Sequence, residues 1–259
     1  MGYIKLYNML NYVVEGKGET LVFIHGLSDS LIYWEFLASN LKEDFQVLRM
    51  DLRGHGQSEL SDDEITIDVY VNDLVDILDD LNVSKVNLIG FSLGGAIALD
   101  FAIKYPEKVS SLVLMSSVYK CDDYLADILN QFKNALSNSF EDFYDLILPM
   151  VLCEGVIGDN KDELDMLKGV ASQTANTKAY IEAVDVCLNV DVEDKLSEID
   201  IPTLILAGKY DEISLLDEQK ILHKKIRNSK LIVFDNVKHN LLIGENNEKI
   251  LNILKNNYK

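Results

Sequence analysis

Lys85-Val-Asn-Leu-Ile-Gly-Phe-Ser-Leu-Gly-Gly95 is the stretch on which the fold turns. Residues 86–89 form a short apolar run that reads as a buried strand, which Gly90 is expected to end, and residues 93–104 read as a helix that begins at once. Ser92 stands between them in Gly90-Phe91-Ser92-Leu93-Gly94, a G-x-S-x-G pattern set in a strand, a sharp turn and a helix. Such a turn holds its serine in strained backbone geometry with the hydroxyl pushed out of the fold. Gly90 and Gly94 offer no side chain to clash as strand and helix close on each other, and Gly95 lets the helix pack tightly. Outside that setting the same residues would read only as a glycine-rich turn with a surface serine.

The flanking sequence supplies the setting. Residues 20–25 are a continuous apolar run of the kind parallel sheets bury, ending in His25-Gly26-Leu27. Residues 32–41 carry apolar side chains at helical spacing with Ser30 as N-cap, and residues 45–50 are a strand that runs into Asp51-Leu-Arg-Gly-His-Gly-Gln-Ser58. Residues 67–81 form an amphipathic helix, and residues 111–115 another strand. Residues 3–14 alternate loosely, as in a hairpin with Asn8 and Asn11 near its turn. Residues 119–190 break the alternation, with helical periodicity only, over 124–136, 140–152, 161–172 and 177–188. Strand 203–208, helix 216–226, strand 231–234 and helix 248–254 then resume it. The expected fold class is α/β: a mostly parallel eight-stranded sheet with helices on both faces, in a core of residues 1–118 and 191–259, with residues 119–190 inserted as a helical cap.

Bulk properties narrow the function. The 259 residues suffice for one large α/β core with an insertion, and a 48% hydrophobic, 26% charged composition is that of a globular protein. A formal net charge of −19 repels nucleic acid phosphates and anionic membrane surfaces, so neither is an expected partner. Cys121, Cys153 and Cys187 are odd in number and lack C-x-x-C spacing, which points to reduced thiols and a cytoplasmic location. The start, Met-Gly-Tyr-Ile-Lys-Leu, carries neither a signal-peptide nor a myristoylation pattern, and no apolar run approaches a membrane span. No metal cluster, phosphate loop or cofactor motif is present, and nothing beyond a monomer or small homo-oligomer is implied.

A serine hydroxyl needs a base to take its proton. Of His25, His55, His223 and His239, the last lies in Val237-Lys238-His239-Asn240, after the final strand, at the sheet edge where α/β folds gather catalytic groups. His223 falls mid-helix among lysines and reads as surface. The acid that would orient the imidazole is Asp211, just beyond strand 203–208, with the adjacent Glu212 as the alternative.

Taken together, the sequence resembles the α/β-hydrolase superfamily over residues 20–119 and 192–254. His25-Gly26, Asp51-x-Arg-Gly-x-Gly-x-Ser58, the Ser92 elbow and the paired Asp211 and His239 loops carry the likeness. The resemblance implies a Ser92–His239–Asp211 triad with an oxyanion hole from the backbone N–H groups of Leu27 and Leu93. It also implies structural roles for His25 and the 51–58 loop. Many relatives place a proline soon after the acid, where this chain has Ile213-Ser214-Leu215. A serine at the elbow, rather than the aspartate of dehalogenases and epoxide hydrolases, implies an acyl-enzyme from a small-molecule ester, thioester or lactone, without a cofactor. The elbow and residues 189–202 are similar to small carboxylesterases and 3-oxoadipate enol-lactonases. Two alternatives use the same residues: a slow-turnover ligand-binding signalling hydrolase, and a C–C bond hydrolase or perhydrolase. Phe132, Phe140, Phe143, Tyr144 and Met150 in the insertion either line an apolar pocket or simply pack.

Overall fold

The computed structural model describes residues 3–7, 10–62 and 64–258. Its strands are β1 (Tyr3–Tyr7), β2 (Leu10–Gly16), β3 (Thr20–Ile24), β4 (Gln46–Met50), β5 (Val86–Phe91), β6 (Val109–Met115), β7 (Thr203–Gly208) and β8 (Ser229–Phe234). They form one sheet in the order β1-β2-β4-β3-β5-β6-β7-β8. β1 with β2 and β2 with β4 are antiparallel, and every other neighbouring pair is parallel. The helices are α1 (Glu35–Leu41), α2 (Ile67–Asp80), α3 (Leu93–Lys104), α4 (Asp123–Asn138), α5 (Phe140–Val151), α6 (Glu154–Asp159), α7 (Lys161–Thr174), α8 (Thr177–Leu188), α9 (Leu216–Lys225) and α10 (Asn246–Asn257).

The sheet is buried on both faces because alternate residues of its central strands serve different layers. Leu21 and Phe23 of β3 join Ile89, Val113, Leu37 of α1 and Leu251 of α10. Val22 and Ile24 join Leu88, Leu112, Leu74 of α2, Ile97 of α3 and Leu222 of α9 on the other side. This is why the parallel strands read as unbroken apolar runs.

Several expectations shift. β5 continues through Gly90 to Phe91 instead of ending at Gly90. The glycine is there for a neighbour: a Cβ on Gly90 would lie 2.3 Å from the Gly94 carbonyl oxygen, and one on Gly94 would lie 2.2 Å from the Ile24 carbonyl oxygen. Asn11 is a buried residue of β2 opposite Leu6 and not part of the hairpin turn, while Asn8 lies outside the described residues. The helix expected at 32–41 begins as a 3₁₀ turn over Leu31–Trp34, with Ser30 capping as expected. The insertion holds five helices instead of four, the extra one being α6. Its two ends are tied together by Cys121 N–H to Val190 O (2.8 Å) and Val192 N–H to Tyr119 O (2.9 Å).

One substitution should therefore act in opposite directions at two sites. Gly90→Ala should cost about 3 kcal/mol of unfolding free energy, because backbone must move to admit the methyl. Gly169→Ala, where nothing lies within 4 Å on the open face of α7, should gain roughly 0.5–1 kcal/mol. Urea titrations of both variants measure this, and a shift of the same sign in both would contradict the packing described here.

Candidate active site

Ser92 follows the last residue of β5 and has φ 52° and ψ −116°, outside the favoured regions for a residue with a side chain. Its N–H donates to the Met115 carbonyl at the end of β6 (3.0 Å), and α3 starts at the next residue. The loop after β3 arrives alongside, since a Cβ on Gly26 would sit 3.3 Å from the Ser92 Cβ. Leu27 follows Gly26, and Leu93 opens α3, where a helix leaves its first N–H groups unpaired. Neither N–H donates to another group among the described residues.

Asp211 and His239 lie in the loops after β7 and β8 and are both buried. His239 Nδ1 is 3.0 and 2.9 Å from the two Asp211 carboxylate oxygens. Asp211 also accepts from Ile213 N–H (2.9 Å), Ser214 N–H (2.9 Å) and the Ser214 hydroxyl (2.7 Å). Burial works against its ionisation, but the His239 imidazole and these donors outweigh it and hold the carboxyl below its ordinary value. An ionised carboxylate only accepts, so the His239 nitrogen that faces it, Nδ1, is the one that carries a proton. The His239 ring packs on Phe91 with centroids 5.1 Å apart, and its carbonyl accepts from the Ser116 hydroxyl (2.9 Å). No hydrogen bond joins Ser92 Oγ to Nε2 among the described residues, and such contacts commonly tighten only with substrate in place.

Sequence reasoning missed Ser214, which braces Asp211 from both its amide and its hydroxyl. The signal was the absent proline. A proline at 213 or 214 would have no N–H to donate. Tyr33 was missed as well: its ring stacks on Phe91 (4.8 Å) and its hydroxyl donates to Asn240, beside His239. Glu212 turns away from His239 and pairs with Lys238. Phe132, Phe140 and Phe143 are buried against one another, so these aromatics pack, while Tyr144 spends its hydroxyl on Leu164 O. A shallow cleft opens instead beside Ser214, with Val118, Leu125, Ile213 and Leu215 as well as Lys120, Asp122 and Glu218 on its walls, although Ser92 does not line it.

Residues 19–149 match the protein family described as the alpha/beta hydrolase fold. A Mycobacterium tuberculosis protein is 35% identical over 104 residues, and that match spans 40% of this chain and only 30% of the relative. 3-Oxoadipate enol-lactonase 1 of Acinetobacter baylyi is 28% identical over 218 residues, covering 83% of this chain and 80% of its own. Among solved structures, an alpha/beta hydrolase enzyme from a Medee basin deep-sea metagenome library superposes with a TM-score of 0.91 at 23% identity, covering 99% and 97% of the two chains. An esterase from Exiguobacterium antarcticum gives 0.86 at 22% identity, covering 98% and 97%.

The other histidines near the site are structural in their bonding. Leu52 N–H donates to His25 Nε2 (3.0 Å), so Nδ1 carries the proton and donates to Gly26 O (2.7 Å). Asp51 accepts from Leu31 N–H, Gln57 N–H and the Asn11 amide, and Ser58 Oγ donates to Asp51 O, which ties the 51–58 loop to β2 and to the loop beside Ser92. Burial pushes His25 down to about 4 and, with the His25 ring beside it, His55 down to about 3. Asp29 keeps only partial solvent contact, and burial pushes its carboxyl up to about 7, against the Ser30 N–H that it accepts.

These shifts have opposite signs in stability. Between their ordinary value of 6.5 and about 4, both histidines are neutral when folded but take up protons when unfolded, so stability falls as pH falls through that window. Asp29 is protonated when folded and ionised when unfolded between 3.8 and about 7, so its contribution falls as pH rises through that window. His55→Asn should flatten the loss of Tm from pH 6.5 to 4. Asp29→Asn should raise Tm at pH 8 and steepen the acid loss. A wild-type pH slope in either variant would rule out the corresponding assignment.

Proposed function

The chain belongs to the α/β-hydrolase family, and from that premise we propose that it is a serine hydrolase that cleaves small carboxylic esters, lactones or thioesters. The observation that carries the reading is the buried His239–Asp211 pair, with its proton assigned to Nδ1, in the loops that flank a serine held at positive φ. In this reading His239 Nε2 takes the Ser92 proton as Oγ attacks the carbonyl carbon. The Leu27 and Leu93 N–H groups stabilise the oxyanion, worth a few kcal/mol of barrier (roughly 3 for one donor). His239 then returns the proton to the departing alcohol, and water attacking by the reverse route releases the acid. Asp211 stays ionised and holds the ring.

Residues 119–190 act as the cap in this proposal. Support comes from their contacts with the core loops: the His55 and Tyr180 rings are 4.8 Å apart, and Asn240 N–H donates to Val151 O (3.1 Å). The enol-lactonase and esterase likenesses support the proposed substrate class. No helix among the described residues is long and apolar enough to cross a membrane.

A p-nitrophenyl ester series from acetate to octanoate tests the proposal. Wild type should turn over. Ser92→Ala should lose at least on the order of 10⁴-fold in kcat while keeping its Tm, and Asp211→Asn should lose a similar factor. Glu212→Gln should stay within about tenfold of wild type, because it leaves the Asp211–His239 pair intact. Activity surviving in Ser92→Ala would remove the mechanism. An acylation burst without turnover would move the protein to a ligand-sensing role.

A further inference from the structure

Lys238 precedes His239 and makes contacts no surface lysine needs. Its ammonium donates to the Pro149 carbonyl (2.7 Å) in the last turn of α5 and pairs with the Glu212 carboxylate, next to Asp211. Its side chain is only 18% exposed. One group thus touches the insertion, the acid loop and, through its own main chain, the histidine loop.

The surrounding contacts converge on the same junction. Asn240 N–H donates to Val151 O (3.1 Å), so two of the carbonyls that α5 leaves unpaired at its C-terminus are taken by residues on either side of His239. The Cys153 thiol reaches Asn236 O (3.4 Å) in the same loop. Tyr124 OH at the start of α4 donates to Glu212 O (2.8 Å). Between the two core loops, Tyr210 N–H donates to Val237 O (2.9 Å), and a Cβ on Gly208 would lie 1.9 Å from Lys238 O. A helix C-terminus carries partial negative charge, so an ammonium is the natural partner there. An exposed lysine–carboxylate pair contributes little, and the Glu212 side chain is half exposed, but the Lys238 stem is shielded and its ammonium has acceptors on two separate segments.

We propose that Lys238 is a positioning residue: it sets the register of the His239 loop against Asp211 and makes that register depend on α5 being seated. The proposal rests on the reading of Ser92, Asp211 and His239 as a triad. Lys238 touches no reacting atom. Its effect passes through the angle at which the imidazole meets Ser92, so it belongs in kcat and in the state of the His239–Asp211 hydrogen bond.

The test uses the full chain with Lys238→Met, which keeps the stem and removes the charge, and Lys238→Arg, which keeps a cation able to reach both acceptors. If Lys238→Met does not fold, Lys238→Gln takes its place under the same criteria. Lys238→Met should lose about tenfold or more in kcat with KM within about twofold, since a displacement of around 1 Å is enough to cost that much. The low-field proton resonance of the His239 Nδ1–H···Asp211 bond should shift or broaden, and Lys238→Arg should recover both readouts. A lowered Tm with kcat and the resonance unchanged would overturn the proposal, leaving Lys238 a stabilising residue only. Failure of Lys238→Arg to recover either readout would overturn it too. Wild type and Ser92→Ala run beside them. If wild type shows no Ser92-dependent hydrolysis, the serine hydrolase reading falls, while the resonance still decides whether Lys238 orders the His239–Asp211 pair.

Discussion

A helix can begin one residue after Ser92 only because α3 meets β5 and β3 backbone to backbone, with Gly90 and Gly94 at the points of contact. The residue caught in that turn has no relaxed conformation to adopt. Holding Ser92 at φ 52° costs on the order of 1–3 kcal/mol. Against this stands the burial of α3, whose Leu93, Ile97, Leu99 and Phe101 are all removed from solvent. At about 1.5–3 kcal/mol for each large apolar side chain, four of them outweigh the strain even at the low end. The conformation is therefore over-determined: relaxing the serine would lift the helix off the sheet. Because α3 also fixes where β5 and β6 end, the loops carrying Gly26, Ser116 and His239 are referred to the same contact.

Two carboxylates near this edge of the sheet illustrate how the fold assigns charge. Asp29 and Asp211 both lose solvent, and burial alone would push both up. Asp29 accepts one amide and has Asp51 as a neighbouring negative charge, and it rises to about 7. Asp211 accepts two amides, a hydroxyl and an imidazole, and it falls. The charged neighbour, His239 for one and Asp51 for the other, together with the donors, rather than the depth of burial, separates them. This is why Ile213 and Ser214 suit their positions: each contributes an N–H that helps hold Asp211 as an anion.

The sequence was most readable where one physical rule acts alone. The runs that became β3 and β7 are buried on both faces, so nothing interrupts their apolar character, and α3 starts and stops where its composition says. Ser92, Asp211 and His239 could be proposed because strand ends place them, and strand ends are local. Reading failed where a residue serves something distant in sequence. Gly90 looks like a strand terminator because its purpose lies in α3. Asn11 looks like a turn residue because its amide is spent on Asp51, 40 positions away. α6 has six residues and two glycines, too few for a period to register. The aromatics of α4 and α5 have helical spacing whether they pack or line a pocket, and only their mutual contacts decide.

The insertion is not uniformly tied down, and the gradation bears on how motion in it reaches the loops of Asp211 and His239. α4 and α8 bury side chains in the same apolar cluster as the core, whereas α6 and α7 bury none, and α7 exposes Met166, Leu167 and Val170. α5 stands between these layers. Phe143 packs on Phe132 of α4 inside, while Tyr144 OH and Asp145 reach Leu164 and Lys168 of α7 outside. Local opening begins where few apolar contacts resist it, so α6 and α7 are the first to loosen. Inward of them is α5, whose buried Phe140 and Phe143 pack on α4 and α8 and whose final carbonyls end on the loop of His239. α5 is thus the element through which a displacement of the outer layer would have to pass to reach the loop of His239.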